Sequence, residues 1–328
     1  MMRGRSGLTL VETLVAISIV GVLAAVLIPA VQASREAARR ATCQDHLKQV
    51  GLAVQEHANG RGALPSLYNG TFLPQPRWLL DEFHFHSWRS AILPGLEGAA
   101  THAALNFALP ATVPANRTAV NVALATFACP STSNPTRVVP DIGEWTGSRL
   151  PMSPSTPRGT AARADYEAVG GIQVAVQTKI SSDLACYEFG AWGEPTYDTA
   201  TGAVIRYRSA RLADITDGLG QTILVAERSG RPDLYRAGKL VRAWDPAATV
   251  DTMDQHQATW ALSTHFNWLL LPQFGGVNAS NYGIYSFHPG GAHVAPADGS
   301  VRFLRDSVAP AVLKALVTRA GAEVVPAD

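Results

Sequence analysis

One uninterrupted apolar segment near the amino terminus constrains this chain more than any other feature. Residues 8–28 read LTLVETLVAISIVGVLAAVLI, in which thirteen positions are Leu, Ile or Val and the only charged residue is Glu12. As an α-helix this segment is about 31 Å long, which matches the hydrocarbon core of a bilayer. Its side chains supply about −5 kcal/mol of insertion free energy, more than the cost of about 2.5 kcal/mol for one acidic residue. The segment is therefore predicted to be a membrane-spanning helix.

The helical pattern continues beyond the apolar segment to about residue 59. Apolar residues recur at helical spacing from Val31 to Val54, and Gly60 and Gly62 supply the signals for a helix end. Pro29 lies where the chain leaves the hydrocarbon, and a bend is expected there because proline removes one backbone hydrogen bond. Basic residues flank both ends of the apolar segment, so charge by itself does not set the orientation of the helix.

An ordinary secretory signal is the competing interpretation of the amino terminus. Arg3 and Arg5 would form its basic region, and cleavage after Ala33 would start the mature chain at Ser34. An acid at position 12 within the apolar region argues against a signal, as does a helical pattern that runs past residue 33.

The remainder has the composition of a globular head. Of the whole chain 47% is hydrophobic, and 27 Lys and Arg face 26 Asp and Glu, for a net charge of +1. Without a basic excess there is no general attraction to phosphates, so a nucleic-acid partner is not expected. The three cysteines have no CxxC spacing, which argues against both a disulfide scaffold and a zinc site built from thiolates.

The head is predicted to combine a mostly antiparallel sheet with a terminal helix. β-Branched and aromatic runs bounded by Gly and Asp predict strands at residues 166–176, 203–209, 222–227, 260–271, 284–287, 292–295 and 301–304. Residues 310–320 begin with Pro310 and are followed by Gly321, which predicts a C-terminal helix. The expected fold class is α+β, with a leader over residues 1–7, a transmembrane and stalk helix over residues 8–59 and a head over residues 60–328.

The first residues carry a recognisable motif. Gly7-Leu8-Thr9-Leu10-Val11-Glu12, followed by the apolar run and Pro29, resembles the amino terminus of type IV prepilins and pseudopilins. The resemblance implies that a prepilin peptidase cuts after Gly7 and that the new amine of Leu8 is methylated, although the family usually has Phe at this position. The ammonium of Leu8 and the carboxylate of Glu12 lie four residues apart on one helix face, where each can neutralise the other or a neighbouring subunit.

Further motifs resemble the bacterial domain-of-unknown-function 1559 family of prepilin-like proteins. They are residues 29–54, Ser87-Trp88-Arg89, Leu93-Pro94, Phe127-Ala128-Cys129-Pro130, Asp214-Ile215-Thr216-Asp217-Gly218, Thr222-Ile223-Leu224, Glu227 and FHPGGAHVAPADGSVRFL. The C-terminal mark of this family is His, nine residues, then Asp-Gly, and His288 followed by Asp298-Gly299 has that spacing. Cys43 and Cys129 also match the family. In an oxidising envelope they are expected to join stalk to head if their Cα atoms lie within about 7 Å, with Cys186 left free.

The C-terminal motif has a structural and a chemical interpretation. In the structural one, Pro289-Gly290-Gly291 and Asp298-Gly299 are turns of a β-meander, His288 hydrogen-bonds across it and Asp298 caps its own turn. His288 and Asp298 are then close together, His293 points away, and no further carboxylate or imidazole completes a metal shell. In the chemical one, His288, His293 and Asp298 are a metal or hydrolytic cluster. The structural interpretation is preferred because turns bring these residues together without any ligand.

A second acidic motif also has two interpretations. Asp214, Thr216 and Asp217, with Glu227, resemble fragments of a calcium loop, but the bidentate Glu spacing of an EF-hand is missing and an Asx turn is favoured. No catalytic, cofactor-binding or metal residues are therefore assigned, and no cofactor is expected.

The resulting expectation is a non-enzymatic pseudopilin-like envelope protein of a type II secretion or type IV pilus-like system. Its expected partners are the membrane, prepilin peptidase and other pilin-like subunits that pack through the N-terminal helix. The expected location is the bacterial inner (cytoplasmic) membrane, with a single pass and the head on the extracytoplasmic side, or an envelope or extracellular filament. The alternative is an envelope-tethered glycan-binding protein or metal-dependent hydrolase.

Overall fold

The computed structural model confirms the α+β class. It describes residues 9–67, 86–111, 113–132, 138–143, 158–173, 187–197, 204–243, 258–262, 268–270 and 276–322. The α-helices of these residues are α1 (Leu10–Arg61), α2 (Trp88–Ile92), α3 (Ala99–Ala103), α4 (Arg117–Val120) and α5 (Pro310–Ala315). The strands are β1 (Val138–Gly143), β2 (Arg158–Ala162), β3 (Tyr166–Ala168), β4 (Gly171–Gln173), β5 (Tyr187–Phe189), β6 (Gly193–Tyr197), β7 (Val204–Ser209), β8 (Ile223–Glu227), β9 (Leu234–Arg236), β10 (Lys239–Arg242), β11 (Trp268–Leu270), β12 (Gly291–Pro296) and β13 (Arg302–Arg305).

The strands form one four-stranded sheet and several smaller ones. The four-stranded sheet has the order β13-β12-β8-β3, and all of its pairs are antiparallel. A three-stranded sheet, β11-β4-β5, contains the parallel pair β11–β4, and β1–β2, β6–β7 and β9–β10 are antiparallel pairs. The sheets are thus mostly antiparallel, as the sequence predicts.

Helix α1 is continuous and has well-defined ends. Thr9 is its N-cap, and Thr9 and Glu12 form a capping box in which each side chain accepts a hydrogen bond from the backbone of the other residue. At the other end Gly62 adopts φ 76°, a left-handed conformation that favours glycine, and its N–H bonds to the carbonyl of Ala58 at 2.8 Å. Pro29 lies inside the helix. The helix ends two residues beyond the predicted residue 59.

The two halves of α1 have opposite environments. The described part of the apolar segment, residues 10–28, leaves its large side chains exposed, from 50% at Val15 to 85% at Leu10. The stalk segment, residues 29–61, buries the following residues in the head: Cys43, Leu47, Val50, Gly51, Ala53, Val54 and Ala58. One helix is therefore both an unpartnered apolar rod and a central element of the head core.

The four-stranded sheet lies between two apolar layers. The stalk segment contacts β8 and β12, and the apolar cluster that they share includes Leu224, Val225 and Ala295 of the sheet. A second apolar cluster contains Ile223 and Val294 of the sheet. It also contains Leu313 of α5 and two residues that follow α5, Leu316 and Val317. Because both faces are covered, every residue of β8 and of β12 is buried. This arrangement fixes the C-terminal motif against the stalk.

Four predicted elements differ from the structure. The predicted strand 166–176 divides into β3 and β4, which belong to different sheets. Residues 284–287 form no strand: Tyr285 makes a single bridge to Arg228, while Ile284 and Ser286 bond to Asn278 instead. In the predicted strand 260–271, only Trp268–Leu270 is a strand among the described residues. The C-terminal helix ends at Ala315, short of residue 320, because the carbonyl of Leu316 accepts a hydrogen bond from the N–H of Ile223 at 2.7 Å.

Candidate functional site

The amino-terminal end of α1 presents the acid of the prepilin-like motif. Glu12 Oε2 accepts hydrogen bonds from the backbone N–H and the hydroxyl of Thr9, both at 2.8 Å. Gly7 and Leu8 lie outside the described residues. The expected pairing between the Leu8 ammonium and Glu12 therefore stays a prediction, and Thr9 is the partner that the structure gives this carboxylate.

The apolar segment satisfies the requirements for a membrane anchor. Within the described residues, α1 is the one helix long and apolar enough to cross a bilayer, and none of its most apolar stretch is buried by the head. Such a surface in water would be unfavourable by about 25 cal/mol for each Å². The helix therefore needs lipid or other helices around it.

A cluster of polar and sulfur-bearing side chains lies where the stalk segment meets the head. Here α1 contributes Glu36 and Cys43, the end of β8 contributes Glu227, and the turn before β12 contributes His288. Cys129 follows the 3₁₀ turn Ala125–Phe127. We call these five residues the stalk-base cluster.

The two cysteines of the stalk-base cluster form a disulfide. Cys43 and Cys129 are joined across a sequence separation of 86, with a Cα–Cα distance of 5.4 Å. The pairing is the one that the family resemblance implied, and it covalently links stalk to head. Cys186 lies outside the described residues.

His288 is the centre of the stalk-base cluster. Its Nδ1 lies 2.7 Å from Glu36 Oε1, and because an ionised carboxylate only accepts hydrogen bonds, Nδ1 is the donor. Its Nε2 faces Glu227 Oε1 at 3.4 Å and Cys129 Sγ at 3.6 Å. The ring thus joins a residue of α1 to a residue of β8.

His293 belongs to the same neighbourhood. Its backbone N–H donates to Glu227 Oε2 at 2.6 Å, its Nδ1 lies 3.3 Å from the same oxygen, and its ring centroid is 5.3 Å from that of His288. The expectation that His293 points away is therefore wrong. It failed because β8, next to β12 in the sheet, brings Glu227 beside both rings. The carboxylates of Glu227 and Glu36 also lie next to His288, where no further carboxylate was expected to complete a metal shell.

The carboxylates and imidazoles around His288 stabilise one another's charged forms. Burial alone would lower the pKa of His288, but the interactions with Glu227 and Glu36 outweigh it, and the pKa is raised. Burial also opposes ionisation of the two carboxyls, yet His288 and His293 lower the pKa of Glu227, and His288 and Arg39 lower that of Glu36. Each carboxylate thus favours the protonated form of His288, and protonated His288 favours the ionised form of each carboxylate.

Asp298 and Gly299 lie at the other end of β12. Asp298 Oδ1 accepts from the N–H and the hydroxyl of Ser300, at 2.8 and 2.6 Å, which is the turn-capping role predicted for it. The turn joins the antiparallel pair β12–β13. Its backbone docks on the stalk segment, because Lys48 Nζ donates to the carbonyl of Gly299 at 2.7 Å. Gly299 also packs against Gln55 of α1, because a Cβ at position 299 would lie 3.1 Å from the Gln55 side chain.

The prediction that His288 and Asp298 lie close together is wrong. The six residues of β12, about 20 Å of extended chain, separate the two ends of the motif, and the ring of His288 pairs with Glu36 and Glu227 instead. Both ends of the motif contact α1, one through Glu36 and one through Lys48. The spacing of His288 and Asp298 thus spans one strand lying along the stalk segment.

The acidic turn before β8 does not gather its carboxylates. Asp214 pairs with Arg211 at 2.7 Å, and hydrogen bonds with Arg211 lower the pKa of Asp214 to about 2. Asp217 accepts the backbone N–H groups of Gly321 and Ala322, at 2.7 and 3.0 Å. Glu227 lies in the stalk-base cluster, so it does not join Asp214 and Asp217 as the calcium-loop interpretation requires. The partners of Asp214 and Asp217 are Arg211 and residues 321 and 322, and the Asx turn stays a prediction.

Sequence reasoning missed one residue of the stalk-base cluster and one buried ion pair of the head core. Glu36 has no local signal, because its partner His288 is 252 positions away. Arg89 and Glu167 form an ion pair at 2.6 Å in the head core, with both side chains buried. The motif Ser87-Trp88-Arg89 marked one half of this pair, and the Trp88 indole N–H donates to Glu167 at 3.1 Å.

The first part of α1 is an apolar anchor, and the second part packs into the core of an α+β head. This arrangement defines the class of pilin-like proteins. A family model described as the prokaryotic N-terminal methylation motif matches residues 2–28, which identifies a type IV pilin-like protein that prepilin peptidase processes and that is anchored to the membrane. A second model, described as protein of unknown function (DUF1559), matches residues 32–311, and the chain belongs to that family. No curated protein and no solved structure matches the chain. Both family resemblances are confirmed, while the His-x9-Asp-Gly spacing as a family mark stays a prediction.

Proposed function

We propose that this protein is a non-enzymatic structural or interaction subunit of a type II secretion or type IV pilus-like system. In this role α1 passes once through the cytoplasmic membrane and packs against other pilin-like subunits, and the head is displayed on the extracytoplasmic side. The observation that carries the proposal is the division of α1 into an exposed apolar segment and a buried stalk segment.

The apolar segment supports assembly as well as anchoring. Its large exposed side chains lie all around the helix rather than on one stripe, as at Val11, Leu14, Ile17, Val20 and Leu23. A helix that is apolar all round is suited to lipid or to a bundle of similar helices. Glu12 is the single acid on this surface, and an acid within a membrane favours a partner of opposite charge, which a neighbouring or its own Leu8 ammonium supplies.

The stalk-base cluster supports a rigid connection between anchor and head. A disulfide, the Glu36–His288 pair and the Lys48–Gly299 bond all join α1 to the head at different levels. A displacement of the apolar segment is therefore transmitted to the head through covalent and hydrogen-bonded links. This is the requirement for a filament or pseudopilus subunit.

The proposal is tested by the substitution Glu12→Ala. We expect the variant to insert into membranes as well as the wild type, because an insertion penalty is removed, but to cross-link to wild-type subunits about tenfold less, equivalent to ~1.4 kcal/mol. The matched control is Ser18→Ala, which removes a hydroxyl that bonds only within its own helix, to the carbonyl of Leu14. Equal cross-linking of Glu12→Ala and wild type would contradict assembly through this residue.

The proposal that the protein is not an enzyme is tested separately. The purified full chain is incubated with peptidoglycan and other envelope polymers, and soluble fragments are measured. We expect none above the level of a heat-denatured sample. Fragments whose release is abolished by His288→Ala would support the alternative of an envelope-tethered hydrolase.

A further inference from the structure

We propose that the stalk-base cluster binds one zinc-like divalent cation when its disulfide is reduced. The ligands are the sulfurs of Cys43 and Cys129, Oε1 of Glu227 and Nε2 of His288. The base of the stalk then has two alternative cross-links between α1 and the head, one covalent and one through the metal.

The four ligand atoms already lie close together. They all lie within 4.8 Å of one another, and the four residues are buried. Zinc bonds of 2.0 to 2.3 Å place neighbouring ligand atoms about 3.3 to 3.8 Å apart in a tetrahedron. Nε2 of His288 lies 3.4 Å from Glu227 Oε1 and 3.6 Å from Cys129 Sγ, within that range. Opening the S–S bond lets the sulfurs separate by less than about 2 Å to reach the same spacing.

The carboxylate of Glu227 faces the position of the proposed cation. Its side chain is fully buried, and the nearest donor to Oε1 is Nε2 of His288, at 3.4 Å, with no hydrogen bond to another described residue. When Nε2 is a metal ligand it carries no proton, so the cation replaces it as the partner of this buried oxygen. The other oxygen, Oε2, is held by the backbone N–H of His293 at 2.6 Å, so Oε1 is the oxygen that faces the sulfurs and His288.

The residues that hydrogen-bond to the proposed ligands are arranged as in protein metal sites. Glu36 accepts from Nδ1 of His288 at 2.7 Å, which leaves the lone pair of neutral His288 on Nε2, the nitrogen that faces the cluster. Glu36 is itself held by Arg39 at 2.6 Å and by the hydroxyl of Ser131. A carboxylate that orients a ligating imidazole in this way raises its basicity and fixes its direction.

The chemistry of the two states balances. A dithiol or phosphine reductant delivers two electrons and, with solvent, two protons to the disulfide, yielding two thiols and an oxidised reductant. Binding of the divalent cation then releases the two thiol protons and any proton on Nε2. With the divalent cation, two thiolates and one carboxylate leave the loaded site with a net charge of one negative unit.

The test uses the full chain in detergent with Cys186→Ser, so that the two clustered cysteines are the only thiols. Samples are prepared oxidised or reduced with a phosphine under anaerobic conditions and titrated with Co²⁺. We expect thiolate-to-cobalt charge-transfer and tetrahedral d–d bands that saturate at one equivalent in the reduced sample alone and are displaced by Zn²⁺. Absence of these bands from the reduced sample would overturn the proposal.

Variants distinguish four ligands from two thiols alone. Glu227→Gln and His288→Gln should each weaken Zn²⁺ binding by more than a hundredfold, and Glu36→Ala by about 10–100-fold as a positioning residue. The control is His57→Gln, an imidazole on the same helix outside the cluster. Melting curves of the oxidised variants, whose fold the disulfide secures, check that each is folded. Binding by folded Glu227→Gln and His288→Gln that equals the wild type would refute the site.

Discussion

Reduction of the Cys43–Cys129 disulfide should destabilise the head by an amount that its loop length sets. The bond closes a loop with a sequence separation of 86. In the chain-entropy model, constraining that loop in the unfolded state contributes about 4.6 kcal/mol at 25 °C. This is a large share of the 5–15 kcal/mol typical of a folded domain. We therefore expect the reduced protein to be folded but much less stable.

The measurement is urea unfolding of the full chain in detergent, followed by tryptophan fluorescence. Trp88, Trp192 and Trp260 are buried, so their emission reports on the head core. A chelator is present throughout, so that metal binding by the reduced thiols does not offset the loss. Cys186→Ser with the disulfide intact is the control and should match the wild type.

The double variant Cys43→Ala/Cys129→Ala separates the bond from the reductant. It should lose the same 4.6 kcal/mol and about 1 kcal/mol more, because both sulfurs are buried and their removal leaves small cavities. A loss of less than about 1 kcal/mol on reduction would refute the reasoning. It would mean that the unfolded chain is already restrained between stalk and head.

The other predictions concern processing and the contacts of the C-terminal motif. Mass spectrometry should show a mature chain that begins with N-methylated Leu8; a start at Ser34 would establish the secretory signal instead. Leu47→Ala, in the fully buried face of the stalk segment, should cost about 2–5 kcal/mol in urea unfolding, and a smaller loss would show that α1 is not part of the core. Gly291→Ala should cost about 1–3 kcal/mol by thermal melt, because the new Cβ would clash with the carbonyl oxygen of Leu304 in β13; an unchanged melt would contradict that pairing. His288→Ala should cost about 1–3 kcal/mol and Asp298→Ala no more than about 1 kcal/mol, whereas equal losses would contradict their different burial.

Local signals predicted the elements whose hydrogen bonds are local. The helix α1 follows from its periodicity and from Gly62, and the pair β12–β13 follows from two apolar runs around Asp298-Gly299. Residues 284–287 have the composition of a strand, yet their backbone bonds divide between β8 and a neighbouring loop. The C-terminal helix is shorter than its sequence pattern because Leu316 bonds to β8. In each error a distant backbone group competed with the local pattern.

The stalk-base cluster shows the same limit for side chains. Cysteine spacing argued against a thiolate site, because Cys43 and Cys129 are far apart in sequence and lack a CxxC pair. The fold nevertheless brings both sulfurs within 4.8 Å of Glu227 and His288. The family resemblance did suggest the cysteine pair, but neither it nor the spacing suggested Glu36 as the partner of His288.

The sequence by itself determined the apolar anchor, the processing motif, the α+β class and the turn at Asp298-Gly299. Each depends on residues within one helix, strand or turn, where periodicity and backbone preferences act. Only the tertiary structure decided that His288 pairs with Glu36 and Glu227 rather than with Asp298. The physical reason is that β12 holds the two ends of its motif apart while α1 and β8 pack beside it, and packing between distant segments has no local period to reveal it.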